Sequence, residues 1–313
     1  MPGRRPNLLV TNHSGFPGPN ASDLDAKTRR EAIAASVMAQ VGAGVDIVSL
    51  GHFGHPDPVT PFIGGLEGVA LSDAKTIIPA WGEISVPVVK SPLRWTHSLF
   101  EEDLIAAREV TELPIKISFP GPYTLARLIE DPDNLYDSVG GFIEAWSDLI
   151  AEEMRILVSD GATIIQVQEP LILLRPADYP RLAASLDPLN EAKGTALLAL
   201  MLSGPGIEPL YDWLQNLKVD ILCLDFIHSP RLVDMINDRQ TARTLGLGVV
   251  DPVASGDCRS DTFRQMLDHI LAGVSSDHVH LHPCSDLSPL APDAARDCLA
   301  GLVESARNFS HGS

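Results

Sequence analysis

Near the C-terminus, HVHLHPC places His278, His280, His282 and Cys284 two residues apart. In an extended strand, alternate side chains share a face, so three imidazoles and a thiol lie on one side and Val279 and Leu281 on the other. Valine and leucine belong against helices, which turns the histidines toward an interior. Imidazole and thiolate are good ligands for zinc or another divalent metal. The same groups serve equally well as hydrogen-bonded interior side chains with no metal, and the strand alone leaves both readings open. Cys223, inside the apolar run DILCLDF, and Cys298, in an amphipathic segment, read as core residues.

Carboxylates supply the second kind of chemistry. Glu169, Asp225 and Asp251 each end an apolar run, where they would hold a polar group of a substrate, cap the following helix or pair with an arginine. Similar positions hold His13 and Ser14, His52 and His55, Tyr123, Gln168, Met201 with Ser203, and His228. Six of the ten histidines fall at such run ends. Chance would spread them over helices and loops, so the concentration marks a site.

Eight short apolar runs must position these residues: 8–11, 45–50, 114–119, 163–168, 195–202, 220–226, 244–251 and 278–284. Between them lie segments with helical periodicity. One carries Phe142, Ile143, Trp146, Leu149, Ile150, Met154, Leu157 and Val158 and stops at Asp160-Gly161, a helix-ending pair. Eight strand–helix units predict an α/β fold, a (β/α)8 TIM barrel, whose chemistry gathers at the C-terminal strand ends. An open doubly wound sheet is the rival, disfavoured because no glycine-rich phosphate loop follows the first run. Residues 51–113 form an oversized connection after the second strand. Within it KTIIPAWGEISVPVVK reads as a hairpin laid across the mouth, followed by a helix from Glu101 to Val110. No low-complexity linker interrupts the chain, so one domain over 1–313 is expected.

Composition narrows the partners. Of 313 residues, 45% are hydrophobic and 20% charged, which is ordinary globular usage. The formal charge of −18 repels phosphate backbones and anionic lipid, so neither nucleic acid nor a membrane surface is expected as a partner. No apolar run reaches the roughly 18 residues of a spanning helix. The start, MPGRRPNLLVTNHSG, shows no secretory leader, and four scattered cysteines form no disulfide framework, so a cytoplasmic setting is expected. A small-molecule substrate fits best, and the charge suits a homodimer as well as a monomer.

The stretches VGAGVDIVSLGHFG, PIKISFPGPYTLA, DGATIIQVQEP, KVDILCLDF, LGLGVVD and HPCSDLSPLAP together resemble the catalytic half of cobalamin-independent methionine synthases and their single-domain relatives. The resemblance runs over nearly the whole chain and implies the same barrel. It implies a methyl or alkyl transfer in which zinc binds the acceptor thiol, through a His-x-Cys pair after strand five, a Glu after strand six and a Cys after strand eight. The matching positions here are Met201, Ser203, Asp225 and Cys284. A rebuilt metal site is then expected on Asp225, His280, His282 and Cys284, with Asp225 or His228 reaching across the barrel, or no metal at all. Cys284 would be ligand or thiol nucleophile, and His52 or His228 the proton-transfer group. Where the family has carboxylates for the ammonium of homocysteine, this chain has His52 and Gln168, so another acceptor is expected. Glu169 is kept, and Ser14 stands for an early family serine. The substrate would be contacted by His13, Ser14, His55, Tyr123, Gln168 and Glu169. A second reading is a lyase or hydrolase that uses the mouth histidines as acid and base on an anionic small molecule. A third is a binding protein without catalysis, against which the histidine concentration speaks.

Overall fold

The computed structural model describes residues 5–20, 23–253 and 258–311. Among the described residues there are ten strands: β1 (Asn7–Val10), β2 (Val48–Leu50), β3 (Leu66–Ile78), β4 (Gly82–Trp95), β5 (Ile115–Pro120), β6 (Ile164–Gln168), β7 (Leu197–Leu202), β8 (Ile221–Asp225), β9 (Thr244–Val250) and β10 (His278–Pro283). Eight of them form one sheet in the order β1-β10-β9-β8-β7-β6-β5-β2, and these eight are the runs marked in the sequence. Every pairing in that sheet is parallel. A single parallel bridge between Thr11 and Ile47 brings β1 to β2, with the Asp46 and Ile47 amides donating to the Val10 carbonyl. The sheet is thereby curled into a barrel.

Period-two alternation sorts the side chains as expected. Val279 and Leu281, like Leu198, Leu200, Leu222, Leu224, Leu245 and Leu247, are buried in the large core beneath the helices. A smaller inner cluster joins Ile47, Ile164, Ala199, Met201, Ile221 and Cys223. Beside and beyond it the interior is polar, with Lys116, Ser118, Gln166, Gln168, His13, His280 and His282 all buried. Strand β9 accommodates this bulk by presenting glycine inward. A Cβ on Gly246 would collide with Cys223 and lie 3.1 Å from His282 Nε2, and one on Gly248 would lie 3.3 Å from the same ring.

The outer helices follow their local signals. The helix Val139–Ser159 starts at Ser138, whose hydroxyl accepts from the Gly141 amide at 3.1 Å, and ends before Gly161 at φ 99°. It buries Phe142, Ile143, Trp146, Ile150, Met154 and Leu157. The helix Asp261–Ala272 is capped in the same way by Ser260. Among the described residues, no helix is long and apolar enough to cross a membrane.

The oversized connection after β2 folds into a short helix (Thr60–Gly65), the antiparallel ribbon β3–β4 and the helix Glu101–Arg108. The ribbon is longer than the hairpin read from the sequence. One side docks where the Val89 amide donates to the Glu130 carbonyl at 2.8 Å and the Glu130 amide to the Pro87 carbonyl at 3.0 Å. Its tip reaches the end of β6, where Trp81 Nε1 donates to Gln168 Oε1 at 2.9 Å. The insertion therefore lies on the C-terminal side of the barrel.

Candidate active site at the barrel mouth

The loop after β8 is a turn built by its first residue. Asp225 Oδ1 accepts from the amides of Ile227 (3.0 Å) and His228 (2.9 Å), and Oδ2 accepts from the Gly204 amide at 2.9 Å. The turn folds His228 back until its Nδ1 lies 2.8 Å from Asp225 Oδ2. Cys284, just past β10, completes a group: a carboxylate oxygen, an imidazole nitrogen and the sulfur lie within 4.8 Å of one another. Among the described residues, no other such group of three or more metal-type ligands occurs. Asp225 and Cys284 are buried, whereas His228 faces solvent. Burial and the nearby charges of Asp225 and Asp251 push the Cys284 thiol well above its ordinary range. A carboxylate, an imidazole and a thiol form a zinc donor set, and three protein ligands are the number a catalytic zinc needs. The negative charge around the sulfur makes the spot one that a cation would relieve, so the residues fit a divalent metal.

His280 and His282 face the interior, as the alternation predicts, but stand outside this group. They pair in register with Gly246 and Gly248 of β9. The register shifts between His282 and Pro283, and such a bulge re-aims the chain, taking Cys284 out of the histidine row. His282 Nδ1 lies 2.8 Å from the Pro283 carbonyl oxygen, and its Nε2 has no hydrogen-bond partner. Burial, then the charge of Lys116, lowers His280 to about 4 and His282 to about 3.

The positions corresponding to the His-x-Cys pair are otherwise engaged. Met201 packs in the inner cluster. Ser203 Oγ lies 2.9 Å from His13 Nε2, while burial and the neighbouring His282 hold His13 well below the ordinary histidine range. The His13 carbonyl accepts from Gln166 Nε2 at 2.8 Å and Lys116 Nζ at 3.2 Å. Burial brings Lys116 down to about 8. Sequence reading passed over this lysine, although a cation between Ile115 and Ile117 in an apolar strand was its signal.

On the far side, His52 Nε2 stands 3.5 Å from Asp286 Oδ2 and 3.4 Å from Ser288 Oγ. Asp286 also accepts from the Gly15 amide at 3.1 Å, and it too was missed, two residues beyond the cysteine that drew attention. His55 is lowered to about 4, chiefly by burial, and lines a cavity of about 390 Å3 with Arg29, His52 and His97. Ser14 Oγ accepts from Gln168 Nε2 at 3.1 Å.

Glu169 and Tyr123 are committed to the scaffold. Glu169 accepts from the Tyr123 amide (3.0 Å) and the Thr124 amide (2.7 Å), at the start of the helix Pro122–Leu128. Gly121 makes room, since a Cβ there would collide with the Glu169 carboxylate. Burial raises Glu169 to about 7 against these hydrogen bonds. The Tyr123 hydroxyl donates to Asp178 at 3.0 Å.

Residues 19–308 match the family described as cobalamin-independent synthase, catalytic domain. The chain belongs to that family. Within it, a methionine synthase from Pyrococcus furiosus is 24% identical over 89% of this chain and 81% of its own length. One from Methanothermobacter marburgensis is 25% identical over 98% and 96%. A B12-independent methionine synthase from a Shewanella species, solved with selenomethionine, superposes with a TM-score of 0.80 at 22% identity, covering 97% of this chain and 98% of its own. A methyltransferase from Methanosarcina mazei gives 0.65 at 16% identity over 96% and 94%. These two structures share the barrel fold with this chain.

Proposed function

We propose that the protein transfers a methyl or larger alkyl group to a small-molecule acceptor other than homocysteine, with zinc or a related divalent metal held by Asp225, His228 and Cys284. The observation that carries this reading is the meeting of oxygen, nitrogen and sulfur ligands within 4.8 Å at the ends of β8 and β10, in a barrel of the cobalamin-independent synthase family. Bound there, such a cation supplies Lewis acidity that favours the deprotonated form of an acceptor thiol. The chain's own residues do the remaining work. Backbone amides fix Asp225, and Asp225 orients the His228 ring at the exposed edge of the mouth. His228 takes over from Met201 and Ser203, which are held by the inner cluster and by His13. An acceptor other than homocysteine is supported by His52 and Gln168, which stand where the family resemblance places carboxylates for an ammonium. A cytosolic location suits the absence of a spanning helix among the described residues.

The test is metal analysis of protein purified without a histidine tag, beside an assay with homocysteine and methyltetrahydrofolate. About one equivalent of metal is expected, falling roughly tenfold or more in His228→Ala and Cys284→Ser. Little methionine should form. Robust methionine formation overturns the acceptor assignment. Full activity of metal-free protein on an anionic substrate turns the assignment to acid–base chemistry at His52 or His228.

A further inference from the structure

Trp81 is carried by the turn at the ribbon tip, packs against the core, and donates from its indole N–H to Gln168 Oε1 at 2.9 Å. The same amide donates from Nε2 to Ser14 Oγ at 3.1 Å and to Ser118 Oγ at 3.0 Å. Both amide hydrogens and one lone-pair direction of Gln168 are therefore spent, and the side chain is buried. The carboxylates around the mouth are spent as well. Glu169 takes two amides of the following helix. Asp286 takes the amides of Gly15 and Ser288 and lies against His52. Beneath this sector, Lys116 Nζ donates to the Asn12 and His13 carbonyls at 2.6 and 3.2 Å and adds positive charge. An ammonium group entering beside Gln168 meets a buried cation and, in Glu169 and Asp286, carboxylates already engaged by backbone amides, whereas a neutral or anionic group meets no such penalty.

We infer that Trp81 is the specificity-determining residue of the mouth. By holding Gln168 it bars an ammonium-bearing acceptor and selects one whose non-reacting end is neutral or anionic. The inference rests on the transfer reading above for the identity of the site, and it names the class of acceptor that site takes.

L-homocysteine and 4-mercaptobutanoate differ only in the ammonium group, so the ratio of their affinities isolates it. Calorimetric titration of the metal-loaded full chain compares wild type, Trp81→Phe, Gln168→Asp and the double variant. The ratio should move toward L-homocysteine by at least about tenfold in the double variant, exceeding the product of the two single effects. Trp81→His, which keeps a ring N–H, should retain the wild-type ratio. A merely structural Trp81 would weaken both thiols alike. The inference is overturned by an unmoved ratio in a folded double variant, by a double variant that binds neither thiol, or by a wild type already favouring L-homocysteine about tenfold. Metal content reports separately on the transfer reading. A metal-free chain whose ratio still moves removes that reading and leaves the role of Trp81 standing.

Discussion

Gly246 shows how much of the site depends on an absent side chain. Its inward position opens the space that Cys223 and His282 fill, and a single methyl there meets Cys223 first. Gly246→Ala should cost about 1–3 kcal/mol by overpacking, read from denaturant unfolding. Adding Cys223→Ala should recover part of that loss, because the two side chains compete for one volume. Full tolerance of Gly246→Ala would mean that the interior is loosely packed. At this scale the sequence was readable where residue type and position coincided. His280 and His282 lie on the predicted face, and Asp225 and His228 at the predicted strand end. What could not be read was partnership. Nothing in the spacing of HVHLHPC reveals that the register shifts after His282, or that Asp225 turns its own loop to hold His228. The pairing of His13 with Ser203 spans 190 residues and leaves no local mark.

The helix Pro122–Leu128 is the element whose anchoring carries a pH signature. Its first amides are held by Glu169, which burial raises from an ordinary 4.5 to about 7. Between those values the folded chain keeps a proton that the unfolded chain has lost. This contribution to stability is therefore full below the ordinary value and is lost as the pH rises through 7. Glu169→Gln should flatten the dependence of unfolding free energy on pH in this window, by at most about 1.4 kcal/mol per pH unit. Titration of stability by urea unfolding from acid to neutral pH checks it, and parallel curves for the two proteins would remove Glu169 as the source. Elements were the most legible level. Each barrel strand announced itself by an apolar run, and the helix Val139–Ser159 by its periodicity and its end at Asp160-Gly161. The ribbon β3–β4 was read short because outer parts such as Ser72 and Asp73 interrupt the apolar alternation.

For the molecule as a whole, the barrel was inferred from a count of strand–helix units, while its closure depends on contacts that no count supplies. Strand β2 has three residues, and Thr11 and Ile47 are the bridge that ties its side of the sheet to β1. By contrast, β9 and β10 pair over five positions. A ladder this uneven has a seam, and its free energy of local opening is expected to be lowest there. Backbone amides of Asp46 and Ile47 should then exchange with deuterium well before those of Leu247 and Leu281, in native conditions and without global unfolding. Equal exchange rates would show that the ring opens as one unit. The seam also sits where the chain leaves for the insertion whose ribbon tip reaches the mouth. Breathing at that one junction would let the ribbon swing while the staves that hold Asp225, His228 and Cys284 stay fixed, so a substrate gains entry without the chemistry losing its alignment.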